Sequence, residues 1–166
     1  EVVPVRGKHL SAQWNTLVSD HHDLGYRPLA GAQLRYLIRT EHGFVAALGF
    51  RSAALHSKAR DRWIGWSPQA RQAYIDRVVC NARFAIVRTL RVKNFASRVL
   101  ACVLGRLPQD WEKAYGVRPV VVETYVDVTR HTGTCYRAAN WQLVGQTRGP
   151  TSTDRRAGRP KSRKAI

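Results

Sequence analysis

Three short stretches of this sequence hold side chains that could do chemistry. The first is Val120-Val-Val-Glu-Thr-Tyr-Val-Asp127, which sets one carboxylate, Glu123, in an otherwise apolar run. Burying an unpaired charge is costly, so an acid in such a strand is either paired or pushed toward its neutral form. Side chains alternate along a strand, so Glu123, Tyr125 and Asp127 fall on one face. The second stretch is Gly133-Thr-Cys-Tyr-Arg-Ala-Ala-Asn-Trp141, where Tyr136 and Asn140 can hydrogen-bond a polar ligand. The third is Arg60-Asp-Arg-Trp-Ile-Gly-Trp66, with Asp61 between two arginines and Trp63 and Trp66 available to stack on a flat ring. Asn81 could orient water or hydrogen-bond a polar ligand, and His22 could act as a lone imidazole.

Each has a structural alternative. Glu123 could close an internal salt bridge with an arginine such as Arg83 or Arg137. Asp61 could fix a loop through its flanking arginines. Asn81 could end a helix in the left-handed region, which asparagine tolerates. Tyr136 could be a buried tyrosine with a satisfied hydroxyl, and Asn140 a helix end. Trp63 and Trp66 could be core, and His22 a cap beside Gly25. Among the other acids, Asp76 and Glu112 fall on exposed-looking helix faces, Glu41 in a turn, Asp154 in the tail, and Asp110 at a helix cap.

Cys80, Cys102 and Cys135 are far apart, with no Cys-x-x-Cys and no His-x-x-x-His, so no metal is expected and the thiols read as reduced and cytosolic. No apolar run reaches the roughly 18 residues of a membrane span, and the first residues lack a signal-peptide pattern. The expected location is cytoplasmic.

The elements that must position these groups follow from periodicity. A helix is expected over 9–20, stopped by Gly25, and a hairpin from Leu34–Arg39 and Phe44–Phe50 around Glu41-His-Gly43. The stretch 54–66 has no clear period. Ser67-Pro68 starts a helix to about Val79, and Phe84–Val87 reads as a strand. Asn94 caps a helix with apolar residues at 95, 96, 99, 100, 103 and 104, and Asp110–Tyr115 adds a further helical turn or two. Val120–Val126 is the expected central strand, followed by a helix over 135–140 and a strand over 142–146. The order gives an α/β domain with a central mixed sheet flanked by helices, over residues 1–149, and a basic flexible tail over 150–166.

The chain has 166 residues, 28 Lys plus Arg against 11 Asp plus Glu, and a formal net charge of +17. Part of that excess lies after Gln146, but the body before it is strongly basic as well. That is the electrostatic footprint of a nucleic-acid binder, so DNA is the expected partner. Arg91, Lys93, Arg98, Arg130, Arg137 and Arg148 are the candidate phosphate contacts, together with the tail.

Two resemblances rest on these residues. Arg91-Val-Lys-Asn-Phe-Ala96 stands where the GNAT acyltransferase superfamily has its pyrophosphate loop, and Tyr136, Asn140, Trp141 and Val144-Gly145 resemble the end of that fold. Asn94 and the bulky Phe95 depart from the small residues of the family pattern, which argues against acetyl-CoA binding. The closer resemblance, from about Leu17 to Gly149, is to the Druantia anti-phage family. It rests on His22-Asp-Leu-Gly25, Leu48-Gly-Phe50, Arg60–Trp66, Asn81-Ala-Arg-Phe84, Asn94-Phe-Ala-Ser97, Asp110-Trp111, Tyr115-Gly116, Glu123–Asp127, Gly133–Trp141 and Val144-Gly145. Its small members resemble a DNA glycosylase acting on glucosylated hydroxymethylcytosine. The resemblance therefore implies excision of a modified base, with no cofactor expected. Glu123, Asn81 and Asp61 would carry the catalysis. Tyr125, Asp127, Tyr136, Asn140, Trp63, Trp66 and His22 would hold the flipped nucleotide. Lys58, Lys93 and Lys113 have no apolar setting that would make an amine nucleophile, so a monofunctional, water-using glycosylase is expected. The alternatives are a non-enzymatic DNA-binding module of a defence or transposition system, and an acyltransferase.

Overall fold

A computed structural model describes residues 1–147 and 163–166. The order is β1 (Val2–Pro4), α1 (Gly7–His21), β2 (Gln33–Thr40), β3 (Gly43–Ser52), α2 (Lys58–Ile64), α3 (Pro68–Tyr74), β4 (Val78–Ile86), α4 (Phe95–Tyr115), β5 (Val121–Thr124), β6 (Val126–Asp127), α5 (Thr134–Ala138) and β7 (Lys164–Ala165). Strands β1 to β5 form one sheet in sequence order. The first three pairings are antiparallel, and β4 with β5 is parallel, joined by α4 as the crossover. The mixed α/β domain expected from the sequence is what forms.

Helices cover both faces of the sheet. Trp14, Leu17 and Val18 of α1 pack on Leu37, Ala47 and Ala85. Val99, Leu100, Val103, Leu107 and Trp111 of α4 pack on Tyr36, Ile38, Ala46, Leu48 and Phe50 from the other side. Leu37 lies between Tyr36 and Ile38, and Ala47 between Ala46 and Leu48, so alternate residues serve the two cores. This explains the unbroken buried run Val45–Phe50, the pattern of a strand covered on both faces. Each fully buried Leu or Val of α4 contributes about 1.5–3 kcal/mol.

Several boundaries differ from expectation. The helix begun at Ser67, whose hydroxyl accepts from the Ala70 N–H, ends at Tyr74 rather than Val79, and after one tight turn the chain enters β4 at Val78. Val78 and Val79 are β-branched and Cys80 is apolar, and pairing with β5 claims the segment for the sheet. The expected strand 84–87 is thus the end of a longer one, and Asn81 is a strand residue, not a helix cap. The two helical patterns at 94–104 and 110–115 are one helix, α4, running through Pro108. Residues 142–146 contribute only a bridge, Gln146 to Ala165, and β1 was not expected. The expected domain limit at 149 lies outside the described residues, while β7, close to the chain end, pairs antiparallel with β6. No helix among the described residues is long and apolar enough to cross a membrane.

Candidate functional site

Two irregularities in the sheet open the site. Gly49 pairs with Arg83, but Phe50 pairs with Asn81, so Ala82 is an extra residue that bulges from β4. Such bulges bend a strand and re-aim its side chains. At the same level the parallel pairing with β5 ends, at Asn81 opposite Thr124, and β5 leaves the sheet. A cleft of about 1520 Å³ lies where the strands part, at the carboxyl end of β5, the position at which open sheets take ligands.

The floor is polar and closed. Asn81 is 4% exposed and Thr124 8%. The Tyr136 hydroxyl donates to Asn81 Oδ1 at 3.0 Å, and Asn81 Nδ2 donates to the carbonyls of Arg83 (3.1 Å) and Gly49 (3.4 Å). Thr124 Oγ1 donates to the Asn81 carbonyl at 3.1 Å. Burial pushes the Tyr136 hydroxyl well above the usual phenol range, so it stays a donor. His22, at the end of α1, is pulled down to about 4 by burial and then by Arg83, leaving a neutral ring whose Nδ1 accepts the Leu24 N–H. Burial lifts Cys80 to about 12 and raises Cys135, so neither offers a thiolate.

The walls are basic. Arg27, Arg51, Lys58, Arg62 and Arg130 line the cleft, with Asp23 and Asp127 as its lining acids. Lys58 and Arg62 are four residues apart on α2, one helix face. Asp127 Oδ1 accepts from the Thr129 N–H and hydroxyl, which turns the chain after β6. Lys164 and Ile166 of the chain end close one side. They are held by bonds from the Val144 N–H to the Ile166 carbonyl and from the Ile166 N–H to the Gly145 carbonyl, both within 2.9 Å. A side chain at Gly145 would sit 2.7 Å from the Ala59 Cβ, so glycine lets this segment approach α2.

Behind the cleft lies a buried charge cluster. Arg60, 1% exposed, reaches Glu123 Oε1 at 3.2 Å and Asp61 Oδ1 at 2.9 Å, and donates to the Ala54 carbonyl at 2.8 Å. Asp61 also accepts from the Trp66 Nε1–H and the Ser57 N–H, both at 3.1 Å. Burial raises Glu123 even though Arg60 pulls the other way, whereas for Asp61 the hydrogen bonds from Ser57, Arg60 and Trp66 outweigh burial and hold it low. The Tyr125 hydroxyl, lifted to about 12 by burial and Glu123, donates to Glu123 Oε1 at 3.3 Å. Glu123 therefore meets the cleft through Tyr125, and the cluster pins α2 to β5.

The structure thus brings Asn81, Tyr125, Asp127, Tyr136, His22 and Arg130 to one cleft, with Glu123, Asp61 and Trp66 behind it. Trp63 is half exposed on α2, not core. Asn140 is exposed at φ 62°, a turn outside the cleft lining. Arg91, Lys93 and Arg98 are exposed around the start of α4, away from the cleft lining, where Arg91 donates to the Arg88 carbonyl. Phe95 packs on the core, and Asn94 takes φ 59°. Arg137 is tied to the Thr132 carbonyl at 2.6 Å, and Arg148 lies outside the described residues. Sequence reasoning missed Arg27, Arg51, Lys58, Arg62 and His131. The only available signal was the spacing of Lys58 and Arg62, hidden because α2 had no readable period.

No curated protein matches the chain. The family model for Druantia protein DruA matches residues 1–159. That match takes in nearly all of the described domain, cleft included, and by it the chain belongs to the DruA family of Druantia anti-phage defence.

Proposed function

We propose that the chain is a DNA glycosylase that takes a flipped, glucosylated hydroxymethylcytosine into the cleft and hydrolyses its N-glycosidic bond. The observation carrying this reading is the contrast between basic walls and a neutral hydrogen-bonding floor. Arginine and lysine on the walls suit phosphates. The donors of Asn81, Tyr136 and Thr124 are engaged with one another and with the backbone, so what the floor offers is acceptor lone pairs, which suit the amino group of a base, and a duplex base must leave its stack to reach them. As the bond breaks, the sugar gains oxocarbenium character, which a carboxylate on the cleft surface stabilises. Asp127 has that position. Glu123 then holds Tyr125 and Arg60 in place.

A DNA-binding module without chemistry is the second reading, favoured by the engagement of Glu123 and Asp61 with Arg60. Incubating the protein with glucosylated and unmodified DNA, then probing for abasic sites, separates the two. Abasic sites only in the modified DNA, lost in Asn81→Ala at unchanged DNA affinity, are expected. Tight binding to both DNAs with no abasic site in either would favour the module.

A further inference from the structure

Asp23 and His131 lie 108 positions apart in the sequence and meet on the cleft wall, with His131 Nε2 2.5 Å from Asp23 Oδ2. Asp23 follows the C-terminus of α1, the negative end of the helix dipole, where an acid is disfavoured unless a partner compensates it. His131 follows Asp127 and Arg130 in the loop after β6, and its N–H donates to the Asp127 carbonyl at 2.9 Å. The imidazole is 60% exposed and the Asp23 side chain 31%, so the pair faces solvent in the cleft rather than serving the core. Nε2 engages the carboxylate, and Nδ1 has no partner among the described residues. A carboxylate that fixes the imidazole tautomer and leaves its other nitrogen open is the arrangement of a general base.

We infer that Asp23 and His131 form a dyad that activates the attacking water, an inference that rests on the glycosylase reading above. His131 Nδ1 takes a proton from water as the water oxygen bonds to the sugar C1′. The C1′–N1 bond breaks, and its electron pair leaves with the base. The base takes up one proton from solvent, and the imidazolium returns one to solvent. The sum is modified DNA plus water giving free base plus an abasic site. Asp23 Oδ2 holds the imidazolium while it is charged. The charged and titratable groups around the dyad are His22 from the end of α1, Arg83 from β4, and Asp127 and Arg130 on its own loop.

The test is single-turnover abasic-site formation on glucosylated hydroxymethylcytosine DNA across pH, with wild type, His131→Gln and Asp23→Asn. Glutamine keeps a hydrogen bond to Asp23 and so keeps the tether, but it is no base. The dyad predicts that His131→Gln slows formation about a hundredfold or more and removes the acidic limb of the pH profile. Asp23→Asn moves in the same direction, and both variants keep wild-type DNA affinity and melting temperature. A His131→Gln rate within threefold of wild type, with the acidic limb intact, would overturn the dyad while leaving the glycosylase reading standing. A wild type inert on modified and unmodified DNA alike would sink the glycosylase reading and the dyad with it.

Discussion

Arg60 shows how one side chain can be indispensable without touching a substrate. It is almost wholly buried and pairs with both Glu123 and Asp61, while Arg71 brings a second cation within 3.7 Å of Asp61. Removing one partner of a buried pair leaves an uncompensated charge, so Arg60→Ala should cost about 3–5 kcal/mol, read as a large fall in melting temperature. Replacing both Arg60 and Glu123 by apolar residues of similar volume should cost less than Arg60→Ala alone. Asp61 and Asp110 add a pH dependence. Burial opposes ionisation of Asp110, but bonds from Arg106 and Tyr36 outweigh it, and both carboxyls sit below the usual range. Their ionised forms therefore stabilise the fold above the ordinary carboxylate value of about 4, and that stability is lost as pH falls through the depressed folded values. Thermal melts from pH 7 to pH 3 should show this loss, and Asp110→Asn should flatten it. The sequence made Glu123 conspicuous, since an acid amid valines needs a partner. Its partner was unreadable, because Arg60 is 63 positions away and nothing local marks an arginine as buried.

At the scale of elements, the site depends on how β3 and β4 meet. Gly49 sits opposite the bulge with its carbonyl bonded to Asn81, and a Cβ there would lie 2.9 Å from Trp14 and 3.0 Å from Leu29. Gly49→Ala should therefore destabilise by about 1–3 kcal/mol, measurable by denaturant unfolding, and should disturb the cleft floor more than an equally costly change in α4. The hairpin and α4 were legible because their periods are long and unambiguous. The β4 start was not, since a Ser-Pro helix signal ran directly into Val78-Val-Cys and only the parallel partner β5 decides that segment. The bulge was invisible too, because it is a property of pairing between strands, and with it went the true setting of Asn81.

At the scale of the molecule, the charge excess is arranged as well as large. The basic residues that line the cleft come from the loop after α1, β3, α2, β4, the loop after β6, and β7, and no single segment displays them together. Net charge was readable from composition, and the cleft that gathers it was not. If DNA occupies the cleft, log affinity should fall steeply with log salt. Neutralising Arg51, Arg62 or Arg130 should then make the slope shallower by about 0.9 for each phosphate no longer neutralised. Fluorescence anisotropy over a salt series checks this, and the same substitutions outside the cleft, at Lys113 for example, should leave the slope unchanged. The most direct measurement is of the excised base itself. Glucosylated hydroxymethylcytosine DNA is incubated with the protein in ¹⁸O-labelled water, and products are read by mass spectrometry. The account predicts free modified base, with an equal amount of abasic site carrying the heavy oxygen at C1′. No released base, or a borohydride-trapped adduct to a cleft amine such as Lys58 in place of the labelled site, would contradict it.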